Sequence, residues 1–153
     1  MIIELGHFAI ILALITSIVQ AAVSLRGAGK NNVGFMQSGL VAAYVNFGLV
    51  LFGFLALMAA HVGDDFSVMN VILNSHSQKP LLYKITGTWA SHEGSMLLWV
   101  LILTGFGAGM ARFVPDMPLS LRARAVGVQG LTGIGFLIFI LIRYGIHFAP
   151  FFN

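Results

Sequence analysis

The sequence predicts an all-α integral membrane protein with four transmembrane helices, both termini and the long second loop lying on the outer side. Two observations predict the class and a third the orientation. The 153 residues are 58% hydrophobic and 8% charged, with a mean hydropathy of +0.94, whereas soluble domains carry about 25% charged residues. The charges also leave four uninterrupted runs, each able to hold one helix across a hydrocarbon core of about 30 Å. Finally, Arg26, Lys30, Arg112, Arg122 and Arg124 gather between the first and second and between the third and fourth runs, which the positive-inside rule assigns to the cytoplasm.

The first run, Leu5 to Leu25, predicts a helix over about 5–25. A cleaved signal peptide is the competing reading, but Glu4 stands where a basic region belongs and no small-residue cleavage pattern precedes Arg26. The second run, between Lys30 and Asp64, is too long for one upright span. Asn31 to Gln37 reads as loop, which leaves a helix over about 38–61. Gly94 to Ala111 predicts a third helix, over about 94–112, and the run from Ala125 to Ile142 a fourth, over about 125–146. A β-barrel needs short strands alternating apolar and polar residues, and these segments are apolar all round.

Several function classes fall away. Without cysteine there is no disulfide, thiolate metal site or CxxC redox pair. The net charge of +3 is scattered between apolar runs rather than clustered, so it reports topology and no nucleic acid is expected as a partner. "HEGSM", His92 to Met96, has methionine where HExxH needs its second histidine, and no Gly-x-Ser-x-Gly elbow or phosphate loop is present. No catalytic or metal residue is assigned.

The orientation puts all five histidines, His7, His61, His76, His92 and His147, on the outer side, with Trp89 and Trp99 near the same face. Helix-end histidines and interfacial tryptophans are ordinary in membranes, but an ordinary belt would decorate both faces. Trp89, His92, Glu93 and Trp99 are therefore the candidate residues for binding a cofactor or docking a partner. Ser91 or Ser95 could cap the third helix, with Glu93 complementing its positive end. The aromatic surface and imidazole also suit a planar, iron-bearing ligand such as haem. A capped helix end, a proton relay and a subunit contact stay open beside it.

"HSQKPLLYKITGTWASHEGSMLLWVLIL", His76 to Leu103, resembles a tract near the N-terminus of the CcmF family of cytochrome c-type biogenesis proteins. Pro80, Tyr83, Lys84, Trp89, His92, Glu93, Gly94, Ser95, Leu97, Leu98 and Trp99 fit its pattern. "DDFSVMNV", Asp64 to Val71, and "LRARAVGVQGLTGIGFLIF", Leu121 to Phe139, are similar to two flanking tracts in the expected order. Ala90 and Ser91 depart from the usual Gly-Gly or Gly-Ala, and "RYGIHFAPFFN" fits loosely.

The resemblance implies a multi-pass protein of the cell inner membrane with its functional loops facing the periplasm. It implies the N-terminal part of a haem lyase that takes haem from the chaperone CcmE and joins it to CxxCH cysteines of apocytochrome c, with help from CcmH and CcmI. The family's tryptophan-rich WWD box and internal haem ligands have no counterpart in these 153 residues, so catalysis is not assigned here. A second CcmF-like chain carrying that box is the implied partner, and haem the implied cofactor of the completed complex. The alternatives are a non-enzymatic membrane scaffold subunit, for which the scarcity of ionisable residues inside the helices argues against a proton pump, or a truncated relic of a full-length CcmF.

Glycine adds one more expectation. Gly105 and Gly109 stand at GxxxG spacing, and Gly127, Gly130, Gly133 and Gly135 follow. Such residues let helix backbones approach closely in lipid, either within this bundle or against helices supplied by another chain.

Overall fold

The computed structural model describes residues 2–62, 82 and 92–148. They form four α-helices and no strand: α1 (Ile2–Lys30), α2 (Val33–Val62), α3 (His92–Phe113) and α4 (Leu119–Phe148). Each contains a stretch long and apolar enough to cross a membrane. The chain is a multi-pass membrane protein.

The helices run beyond their charge-free cores. α1 continues through Arg26 to Lys30, and the segment from Asn31 to Gln37, expected as loop, is helical from Val33 onward. Two asparagines explain so short a connection. Asn31 takes a left-handed conformation, with φ 51°, and the backbone N–H of Asn32 donates to the carbonyl of Gly27 at 2.9 Å, closing the end of α1. Asn32 then caps α2, its Oδ1 accepting from the N–H of Phe35 at 3.3 Å. Gly27 is needed here: a Cβ on it would stand 2.8 Å from the backbone nitrogen of Met36.

α1 and α2 lie antiparallel along their length, since Gly27 abuts Phe35 and Met36 at one end and Gly6 abuts Ala56 at the other. α4 packs antiparallel on α1, with Gly127 against Leu25 and Gly130 against Ser17 and Ala21. α3 leans on α2 and α4 and has no extensive contact with α1. Arg122 fastens the turn from α3 to α4, its guanidinium donating to the carbonyl of Ala111 at 3.3 Å.

Three interior layers follow. At one end an apolar cluster joins Ile10, Val50, Phe54, Leu97, Leu137 and Ile140 from all four helices. At the other, smaller clusters gather Leu40, Ala43, Ala111 and Val126, and Ala28, Met36 and Ala123. The middle layer is polar. Ser17, Gln20 and Asn46 are completely buried. Asn46 Nδ2 donates to Ser17 Oγ at 2.7 Å and to Gln20 Oε1 at 3.2 Å, while Gln20 Nε2 donates to Gln129 Oε1 at 2.6 Å and to the carbonyl of Val126 at 2.8 Å. Hydrocarbon offers polar groups no water, so amides placed mid-span bond across helices and tie α1, α2 and α4 together. The hydroxyls of Thr16, Thr104 and Thr132 turn back onto carbonyls of their own helices instead.

Candidate functional site at the histidine-bearing end

The antiparallel order brings the start of α1, the end of α2, the start of α3 and the end of α4 to one end of the bundle. His7, His61, His92 and His147 lie in those segments, so four histidines remote in sequence share one end. Their companion His76 and the candidate Trp89 lie outside the described residues. The opposite end carries Arg26 and Lys30 in the closing turns of α1, Arg112 in the last turn of α3, and Arg122 and Arg124 at the start of α4. Among the described residues the bundle is polarised, with the histidine-bearing segments and Arg143 of α4 at one end and five cations at the other.

His92 is the first residue of α3 and Glu93 the second. Both therefore stand in the first turn of the helix, the position at which the sequence expected Glu93. Gly94 is buried just behind them, and Leu97 and Val100 enter the apolar cluster with 1% and 0% exposure. This packing fixes how α3 is rotated. Trp99 consequently faces outward, 65% exposed. It stands two turns after His92, a rise of about 10 Å that returns to nearly the same side of the helix. Of these two candidate residues, the fold gives an exposed side chain to Trp99, while His92 is placed as the opening residue of α3.

The described residues do not bring together a metal-binding cluster. No group of three or more histidine, cysteine, aspartate or glutamate side chains among them could hold a metal ion. A groove of about 480 Å³ on the outer face of α3, lined by Ile102, Gly105, Phe106, Gly109, Met110 and their neighbours, lacks any nitrogen donor. No step through haem can be assigned to these residues.

Sequence reasoning missed the buried amides. Gln20, Asn46 and Gln129 are single polar residues inside apolar runs, and only the fold brings them together. Gln129 nevertheless lies in the "VQG" portion of a tract already noted, and an uncharged amide in mid-span is itself a signal of helix–helix bonding.

Relatives extend the pattern beyond this chain. It is 53% identical over 141 residues, 92% of its length, to "Cytochrome c-type biogenesis protein ccl1" of Rhodobacter capsulatus. Over 142 residues it is 42% identical to "Cytochrome c-type biogenesis protein CcmF" of Pseudomonas aeruginosa. The solved structure of "Cytochrome c Heme Lyase CcmF" superposes on 90% of the chain with a TM-score of 0.83 and 26% identity. The chain belongs to the CcmF family, in its N-terminal portion. No family model matches it. It spans 22% of each of those two relatives and 23% of the solved CcmF chain, so the family relation covers a four-helix unit of a much larger protein.

Proposed function

We propose that this chain is the N-terminal membrane part of a cytochrome c maturation haem lyase, helping haem pass from a chaperone of the CcmE type to apocytochrome c CxxCH motifs outside the membrane. The observation that carries the reading is the 53% identity to a cytochrome c-type biogenesis protein across 92% of the chain. The polarity of the bundle supports it. Five cations at one end favour the cytoplasmic side, which turns His7, His61, His92 and His147 toward the periplasm, where thioether formation takes place.

The chain does not work alone in this reading. A second CcmF-like chain carrying the WWD box completes it and holds the haem, CcmH and CcmI present the apocytochrome, and Trp89, His92, Glu93 and Trp99 line the surface where haem or a partner docks. The exposure of Trp99 and the position of His92 as the first residue of α3 support that reading.

The test is to tag the C-terminus, purify the chain from membranes in mild detergent, record the haem absorbance and identify co-purifying chains by mass spectrometry. A haem band with a membrane chain containing a WWD box is the expected result. Isolation of this chain alone and without haem would overturn the reading.

A further inference from the structure

α3 differs from its neighbours in what its outer face presents. Trp99, Phe106 and Phe113 are 65%, 75% and 80% exposed, and they recur every seven residues. Between them stand Ile102 and Gly109, also seven apart, giving the spacing three, four, three, four from Trp99 to Phe113. This is the a/d pattern by which one helix wraps another at a shallow crossing angle. Bulky rings alternate with a gap: a Cβ built on Gly109 meets nothing within 4 Å, and the groove of about 480 Å³ lies around it.

In lipid, apolarity does not drive helices together, so association depends on close packing. A stripe of knobs with an empty hole gains little from fluid acyl chains and much from a helix whose side chain fills the hole. The size of the relatives says where that helix comes from. The four-helix unit is 23% of the solved CcmF chain and 22% of the Rhodobacter capsulatus protein, so more than three-quarters of each remains to be packed around it.

We infer that the α3 face from Trp99 to Phe113 is the seam on which a transmembrane helix of the completing, WWD-bearing chain packs, with a side chain of that helix seated over Gly109. The inference rests on the proposed haem-lyase reading and names the surface through which the two chains join. It also gives the exposed rings a joint role: the helix docked along Trp99, Phe106 and Phe113 holds α3 in place beside the completing chain.

The absence of cysteine makes the test direct. Gly109→Cys is expressed in the host membrane and labelled with a maleimide-benzophenone, and Gly48→Cys and Gly135→Cys serve as controls because their Cβ positions on α2 and α4 also meet nothing within 4 Å. The expected result is a photo-adduct at position 109 with an apolar peptide of a WWD-bearing chain, absent at 48 and 135. In parallel, Gly109→Leu should lower the co-purifying WWD-bearing chain about tenfold or more, while Gly48→Leu leaves it unchanged and all variants keep wild-type yield.

Adducts at 109 with lipid only, with a second copy of this chain, or equally at all three positions would overturn the seam. If the WWD-bearing chain co-purifies with wild type but Gly109→Leu retains it, the seam fails and the haem-lyase reading stands. If that chain never co-purifies, both fail.

Discussion

The interior shared by α1, α2 and α4 and the outer face of α3 use glycine in opposite ways. In the interior, the Cα of Gly27 faces the backbone of Phe35 and Met36, and a Cβ on Gly130 would come within 3.1 Å of the carbonyl oxygen of Ser17. These glycines let backbones touch. On α3, Gly109 faces open space between exposed aromatic rings. A glycine-rich membrane sequence therefore holds two kinds of information, one about how helices approach inside this bundle and one about the face the bundle leaves open, and the two are separable only once the helices are placed.

Substitutions sharpen that contrast. The largest effect is expected at Gly27→Val, which forces side-chain atoms into backbone of α2; thermal melting in detergent should show a loss of about 1–3 kcal/mol or an outright fall in yield. Next comes Gln20→Leu, which removes the bonds to Val126 and Gln129 and the acceptor for Asn46. A cost of about 1–2 kcal/mol is expected from the same melts. Adding Gln129→Leu should cost less than the sum, because the Gln129 amide is then no longer left without the donor that Gln20 supplied.

Asn32→Ala deletes the cap of α2 and should cost about 1 kcal/mol. The smallest effect belongs to Gly109→Leu, within about 0.5 kcal/mol of wild type in the isolated chain. A large loss there would erase the contrast between the two regions.

Much of the fold was legible because hydrophobic length and charge placement are strong signals in lipid. The four runs correspond to the four helices, and the two groups of basic residues that guided the topology meet at one end of the bundle. Helix ends were less legible. Beyond the hydrocarbon, Gly27, Ala28 and Gly29 are ambiguous in sequence, and only the paired action of Asn31 and Asn32 shows that α1 and α2 are joined by a two-residue turn.

The site divides similarly. The "HEGS" tract marked the start of α3 and its resemblance marked the family, while the rotation of α3 was hidden: it depends on Leu97 and Val100 entering the apolar cluster where α3 packs on α2 and α4. That rotation decides that Trp99 faces outward. The amide layer was hidden for a related reason, since Gln20 and Gln129 are 109 residues apart and each averages away in an apolar window.

The most direct measurement is covalent haem in cytochrome c. In the host that makes this protein, the chain is deleted and then restored as wild type or as His92→Ala, and haem-stained cytochrome c is compared at matched levels of the chain. The account predicts loss of cytochrome c on deletion, recovery with wild type, and a lowered yield with His92→Ala at undiminished protein abundance. Undiminished cytochrome c after deletion would contradict the account at its centre.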